Sequence, residues 1–129
     1  MPEPVWITLG VVLAIHDEQL AEHGGQAGIR DRGLLESALS RPRSQFAYGE
    51  TALTRLAASY AFGISRNHPF LDGNKRTSLV VAELFLELNG YELTSSDAQC
   101  ITTFLQLAAG ELTENQLAEW IAANSTALA

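Results

Sequence analysis

The 129 residues of this chain predict an all-α protein, folded as one compact bundle of about six helices in a single domain that spans residues 1–129. Apolar residues recur at helical spacing in six segments of the sequence. Capping residues, glycines and prolines stand at the borders of these segments, where helices begin and end. The sequence contains no repeat, low-complexity stretch or linker, and its length suits a single hydrophobic core.

The predicted helices are 8–22, 31–41, 50–65, 74–88, 96–109 and 113–123. Thr8 is expected to cap the first helix, and Gly24-Gly25 is expected to end it, because glycine readily adopts the conformation that closes a helix. Asp31 is expected to cap the second helix. Pro42 is expected to end that helix, because the residue before a proline is disfavoured in the α conformation. The third helix is predicted from its apolar spacing alone.

The last three predicted helices have clearer borders. The fourth is the most apolar, so we expect it to be the central, buried helix, with Asn89-Gly90 at its end. The fifth and the sixth each begin with a capping box, in which a Ser or Thr and a Gln three residues later exchange hydrogen bonds with the backbone. These pairs are Ser96/Gln99 and Thr113/Gln116.

The charge of the chain is unevenly distributed. The net charge is −7, yet residues 1–76 carry eight basic and eight acidic side chains, whereas residues 77–129 carry seven acidic ones and no Lys or Arg. An acidic chain without a basic stripe is a poor candidate for direct nucleic-acid binding. No apolar run reaches the roughly 18 residues of a membrane-spanning helix, so no membrane association is expected.

The cysteine content favours a reducing, cytoplasmic setting. The single cysteine, Cys100, cannot form an internal disulfide. It lies within an apolar helical pattern, which favours a place in the core over a role as a nucleophile. The start of the chain, Met1-Pro2-Glu3-Pro4, lacks the cationic segment of a signal peptide.

The segment 68–77, with the sequence HPFLDGNKRT, carries the side chains with the most chemistry. His68 can accept a proton from a hydroxyl, and Asp72 can hold a hard cation such as Mg²⁺. Gly73-Asn74 precedes the apolar fourth helix, whose free N–H groups and dipole attract anions. Lys75 and Arg76 add full positive charge at that point. This combination is suited to phosphoryl or nucleotidyl transfer.

Each of these features also has an ordinary structural explanation. A Gly-Asn pair before a helix is commonly just a turn, a Lys-Arg pair is commonly solvated, and a lone histidine is commonly structural. One detail favours the phosphate site. Cations in the first turn of a helix oppose its dipole, so Lys75 and Arg76 are unfavourably placed unless an anion binds.

The segment resembles the active-site motif of Fic domains, His-Pro-Phe-x-x-Gly-Asn-x-Arg, and its Asp72 and Lys75 resemble those of the Doc ("death on curing") branch. The resemblance extends over nearly the whole chain and implies a Fic-like helical bundle with a short flap segment between helices two and three. Similar residues outside the motif are His23-Gly24-Gly25, Gly28-Ile29-Arg30-Asp31, Leu34-Leu35-Glu36-Ser37-Ala38 and Phe85-Leu86-Glu87-Leu88-Asn89-Gly90-Tyr91.

The resemblance also implies a role for each residue of the motif. His68 is the expected general base, and Asp72 is the expected Mg²⁺ ligand. The Asn74 side chain is expected to add a donor to the backbone N–H groups that hold the phosphates of ATP. Arg66 is open to two interpretations, as a support of this site or as a solvated cation at a helix end. The phosphate-binding residues expected in this way are Gly73, Asn74, Lys75, Arg76 and Arg66.

Resemblance to the Doc branch implies the toxin of a bacterial toxin–antitoxin pair, which phosphorylates an elongation factor Tu-like protein with ATP. Ordinary Fic domains transfer AMP instead, and they have Gly and Arg where this chain has Lys75 and Leu79. Pro69 and Gly73 are closer to the ordinary Fic pattern, so AMP transfer to a protein hydroxyl remains an alternative. A non-catalytic module that binds a nucleotide or a partner is a third possibility, and such a module would not need His68.

Two further expectations concern partners. The segment 45–49 has no helical period, so it is either a packed connector or, as the resemblance implies, a flap that docks the target chain by strand addition. The inhibitory motif of many Fic domains, Ser/Thr-x-x-x-Glu-Gly/Asn, is absent. Only Glu114 is followed by Gly or Asn, and the residue four positions before it is Gly110 instead of Ser or Thr. The inhibitor is therefore expected in trans, as a Phd-like antitoxin that folds as a helix into an apolar groove. The expected flap residues are Gln45, Phe46, Ala47 and Tyr48.

Overall fold

The computed structural model describes residues 2–128, so Met1 and Ala129, the ends of the predicted domain, lie outside the described residues. The regular secondary structure of the described chain is helical apart from one small sheet, which confirms the predicted all-α class and the expected number of helices. In chain order the elements are α1 Leu9–His23, α2 Arg32–Ala47, α3 Leu53–Asn67, α4 Asn74–Leu88, β1 Tyr91–Leu93, α5 Asp97–Ala108, α6 Glu114–Ala123 and β2 Ser125–Ala127.

The predicted helix starts are confirmed wherever a capping side chain defined them. The Thr8 and Asp31 side chains accept hydrogen bonds from backbone N–H groups three residues further on. Both capping boxes are complete, with Ser96 and Thr113 as the N-caps of α5 and α6. Helix α4 covers the predicted residues, and Asn89 is its C-cap.

The predicted end of the second helix is wrong, because α2 continues through Pro42 to Ala47. Proline removes one backbone hydrogen bond from a helix interior. Two contacts with α6 hold the following turn in helical form: Arg41 forms an ion pair with Glu114, and Gln45 Nε2 donates to the second carboxylate oxygen at 3.1 Å. Residues 45–47 are therefore the last turn of α2, and the non-helical connector is limited to residues 48–52.

The central helix is α3, which corrects the expectation for α4. Helix α3 packs against α2, α4, α5 and α6, and its residues 56–61 are all buried. Small side chains allow this close packing. A Cβ added to Gly63 would lie 3.3 Å from the Cα and Cβ of Ala38 on α2. Helix α4 is buried on one face only, since Leu79, Val80 and Leu84 are partly exposed.

The small sheet was not predicted. Strand β1 pairs antiparallel with β2, with Tyr91 opposite Ala127, and so joins the end of α4 to the end of the described chain. Three-residue strands are too short to show an alternating pattern. Cys100 lies on α5 and is buried in the core of the protein, as predicted. Among the described residues, no helix combines the length and the apolarity needed to cross a membrane.

Candidate active site

The motif lies at the junction of α3 and α4, on a segment we call the site loop (residues 68–73). His68 is the C-cap of α3 and has φ 49° and ψ 55°. It is the one non-glycine residue with positive φ between residues 2 and 128. This left-handed conformation costs on the order of 1 kcal/mol, and such strain is concentrated at functional sites. The turn leaves the His68 side chain exposed at the end of the helix.

The motif divides into an exposed and a buried set of side chains. The charged or titratable ones face solvent, where a ligand can reach them, whereas four other side chains are buried and hold the loop against the core. The exposed set is His68, Asp72, Lys75 and Arg76, and the buried set is Pro69, Phe70, Asn74 and Thr77.

A buried histidine of α1, His16, contacts the inner side of the site loop. Its ring stacks on Phe70, with the ring centroids 3.7 Å apart and the planes 9° from parallel. Its Nε2 lies 2.8 Å from the backbone oxygen of Asp72 and donates a hydrogen bond to it. A Cβ added to Gly73 would lie 3.5 Å from the same ring. His16 therefore fixes the backbone just before α4.

Asn74 has a different task from the one expected. Its side chain is 4% exposed, Oδ1 accepts from the N–H of Phe70 at 3.0 Å, and Nδ2 donates to the oxygen of Phe70 at 3.0 Å. The expected donation from this side chain to a phosphate is therefore not what the structure shows. Asn74 closes the site loop on itself, while its backbone N–H lies in the first turn of α4.

The Asp72 carboxylate is held by backbone N–H groups. Oδ1 accepts from Gly73 at 2.8 Å, and Oδ2 accepts from Gln26 at 3.2 Å. This close approach requires Gly25, where an added Cβ would lie 2.9 Å from Oδ2. Residues 2–128 contain no cluster of three His, Cys, Asp or Glu that could ligate a metal. A single exposed carboxylate nevertheless fits Mg²⁺, which takes its remaining ligands from water and substrate phosphates.

A second segment, the support loop (residues 24–31), braces the site loop along its length. Arg30 donates through Nε to the oxygen of His68 at 2.6 Å and through a terminal nitrogen to the oxygen of Asn67 at 2.7 Å. These acceptors are carbonyls at the end of α3, where a cation also interacts favourably with the helix dipole. Ile29 and Phe70 form an isolated antiparallel bridge. The position of His68 therefore depends on the support loop.

The start of α4 is a potential anion site. Gly73 is the N-cap and provides no side-chain cap, and the first helical hydrogen bond runs from Thr77 to Gly73. Within residues 2–128, the N–H groups of residues 74–76 have no acceptor. The exposed Lys75 and Arg76 border a depression of about 150 Å³ against α5. The free N–H groups and the helix dipole favour an anion at this end of α4, and Lys75 and Arg76 add positive charge in its first turn.

The structure places the other predicted site residues elsewhere. Arg66 lies against the ring of Phe62, 5.7 Å from its centroid, and lines grooves that contain none of residues 68–76. Of the expected flap, Phe46 packs edge-on against Trp6, at a centroid distance of 5.7 Å. Gln45 contacts α6 and Ala47 ends α2, whereas Tyr48 is 93% exposed.

Sequence reasoning missed three supporting residues, namely His16, Gly25 and Arg30. Gly25 was assigned to the end of the first helix and to the resemblance, and Arg30 appeared only as part of the resemblance. His16 follows Val12 and Ile15 on the buried face of α1, and a histidine there was a signal that a buried ring needs a polar partner. The identity of that partner, 56 residues away, could not be found from local sequence.

The fold and the site define a class of protein: a small helical domain with an exposed histidine and an anion-binding helix start at one loop. The chain belongs to the Fic/DOC family, whose sequence pattern matches residues 6–86. It is 35% identical to "Protein kinase doc" of Escherichia phage P1 over 109 residues, which cover 84% of this chain and 86% of that protein. It is also 43% identical to "Toxin Doc" of Mycolicibacterium smegmatis over 75 residues, which cover 56% of this chain and 57% of that protein.

Proposed function

We propose that this chain is the toxin of a bacterial toxin–antitoxin pair and that it transfers the γ-phosphate of ATP to a hydroxyl of an elongation factor Tu-like protein. The observation that carries the proposal is the start of α4, where free N–H groups and two exposed cations follow the exposed His68 within eight residues. The names of the two relatives, a kinase and a toxin, support the same function.

The proposed reaction uses the exposed set of motif residues. The N–H groups of residues 74–76, with Lys75 and Arg76, bind the ATP phosphates. His68 takes the proton of the target hydroxyl as its oxygen attacks the γ-phosphorus. A new O–P bond forms, the bond from the γ-phosphorus to the bridging oxygen breaks, and ADP leaves with that electron pair. Asp72 would hold Mg²⁺, which when bound neutralises charge on the phosphates.

We also propose that inhibition comes from a separate antitoxin chain. The sequence has no internal inhibitory motif, since Gly110 stands where the Ser or Thr would be. Ile101 and Leu105 of α5 are about half exposed and border the same depression as Lys75 and Arg76. An amphipathic helix seated on this apolar surface would cover the phosphate site.

The first prediction concerns His68. Replacing it with Ala should abolish growth arrest on expression in bacteria and lower transfer by roughly 10²–10⁴-fold, the usual contribution of a general base. The fold should persist because the side chain is exposed. Circular dichroism checks the fold, and His23→Ala, at the end of α1, serves as the matched control. Undiminished toxicity of the His68→Ala protein would rule out the catalytic function and favour a binding module.

The second prediction concerns the group transferred. Pro69 and Gly73 leave AMP transfer as the alternative, whereas Lys75 favours phosphoryl transfer. Incubation of a bacterial extract with ATP labelled at either the α or the γ phosphorus separates the two reactions. We expect only the γ label on the target, with a mass increase of about 80 Da. Transfer of the α label with an increase of about 329 Da would establish AMP transfer instead.

A further inference from the structure

A groove between α2 and α3, which we call the arginine groove, is not used by the proposed reaction. Its volume is about 490 Å³. Tyr48 lies at the α2 end, and Asn67, the residue before His68, lies at the α3 end. The residues on which the argument rests are Arg41, Ser44, Tyr48, Phe62, Arg66 and Asn67.

The charge of this groove is opposite to that of the chain. Its only charged lining residues are Arg41 and Arg66, in a protein of net charge −7. Both guanidinium groups lie against the Phe62 ring, 5.4 Å and 5.7 Å from its centroid. Arg41 is paired with Glu114, whereas Arg66 forms no ion pair among residues 2–128. Two cations against one ring, with one carboxylate paired to Arg41, leave an unbalanced positive charge.

From this charge and from the position of the groove, we infer that it binds an acidic segment of the protein substrate. Carboxylates of that segment pair with Arg66 and with the exposed side of Arg41, since arginine forms bidentate bonds to carboxylates. A segment lying along the groove reaches Asn67 and is then one residue from His68. A target chain bound there would therefore lie beside the loop that carries the base, although His68 itself does not line the groove. The identity of the occupant as substrate rests on the proposed function, whereas the preference for acidic chains does not.

Direct binding of a peptide tests the groove without any transfer reaction. The probe is a synthetic decapeptide of alternating Glu and Ser, with a Lys-Ser decapeptide as the charge-reversed control. Nuclear magnetic resonance follows the side-chain Nε–H signals of the arginines. We expect saturable shifts at Arg66 and Arg41, weakened by salt, and affinity at least fivefold lower in Arg66→Ala. Arg32→Ala removes the same charge from an exposed site on α2 outside the groove and should leave the affinity unchanged.

The inference fails if the acidic peptide shifts neither arginine. It also fails if the Lys-Ser peptide binds equally well, or if Arg32→Ala weakens binding as much as Arg66→Ala. A shift confined to Arg76 would mean that the peptide occupies the start of α4, which again overturns the inference.

Transfer kinetics test whether the segment that occupies the arginine groove belongs to the protein substrate. In the labelled extract, Arg66→Ala should raise the KM for the protein target at least fivefold and leave the affinity for a non-hydrolysable ATP analogue unchanged. Normal labelling by Arg66→Ala would refute a substrate groove while the proposed function stands. If the mutant labels normally but escapes its antitoxin, the occupant is the antitoxin. If the wild-type protein binds the acidic peptide but labels nothing, the proposed function fails and the preference for acidic chains stands.

Discussion

His16 shows how a residue outside the motif can control it. It donates to the Asp72 oxygen and stacks on Phe70, so its loss would release the backbone that leads into α4. We predict that His16→Ala lowers transfer more than tenfold and destabilises the protein by about 1–3 kcal/mol, through a lost stack and a partly buried carbonyl left without its donor. His16→Gln, whose amide nitrogen can replace Nε2 as the donor, should recover part of the activity.

Thermal denaturation and label transfer, measured on the same samples, check this prediction. His23→Ala removes an exposed imidazole from the same helix and serves as control. Full transfer by His16→Ala, at a temperature where it is folded, would show that His16 has no influence on the site.

The charged side chains of the motif were identifiable from sequence because they lie close together in the chain and have recognisable chemistry. The residues that hold these side chains in place were not identifiable in this way. Asn74 was assigned to the phosphates, yet it bonds both backbone groups of Phe70. An asparagine side chain can cap a helix, hold a loop or bind a ligand, and only the folded backbone determines which of these it does. Arg66 was grouped with the motif by proximity in sequence, but it contacts Phe62 instead.

At the scale of elements, close packing between α2 and α3 yields a matched pair of mutations. A Cβ at Gly63 would lie 3.3 Å from the Cα and Cβ of Ala38, and neither neighbour can move without shifting a helix. Gly63→Ala should therefore cost about 1–3 kcal/mol of stability. A Cβ at Gly10, in α1, would meet nothing within 4 Å. Gly10→Ala should stabilise the protein by up to about 0.5–1 kcal/mol, because alanine favours the helix.

Chemical denaturation of the two variants beside the parent measures these changes. Equal effects in both would show that helix propensity outweighs packing at Gly63. A stabilised Gly63→Ala protein would show that α2 and α3 can separate without cost.

Helix starts were predictable because a capping side chain and the backbone N–H that donates to it are three residues apart. The end of α2 was not, because the local preference of Pro42 is overridden by contacts of Arg41 and Gln45 with α6. The central place of α3 was also missed. Hydrophobicity pointed to α4, whereas the small residues of α3 decide how many helices can pack around it.

At the scale of the whole molecule, the uneven charge has a consequence for stability. Residues 77–129 hold seven carboxylates and no Lys or Arg, and folding brings some of these together on α4 and α5. Burial, followed by the charges of Glu87 and Asp97, raises the pKa of Glu83 above its ordinary value. The thiol of Cys100 nearby has its pKa raised by burial and then by Glu83 and Asp97.

A carboxyl whose pKa is higher in the folded state than in the unfolded state binds protons more tightly when folded. Stability therefore falls as the pH rises from the ordinary carboxyl pKa through the raised one, and the penalty is fully present above it. Glu83→Gln removes the charge, so we predict a higher Tm than the parent at pH 7 and no difference near pH 4. The gain should shrink in high salt, which screens the repulsion from Glu87 and Asp97. Glu119→Gln, an exposed change of the same charge on α6, is the control. A gain no larger than that of the control at pH 7 would show that Glu83 is adequately solvated, and that the acidic half of the chain does not limit stability through this group.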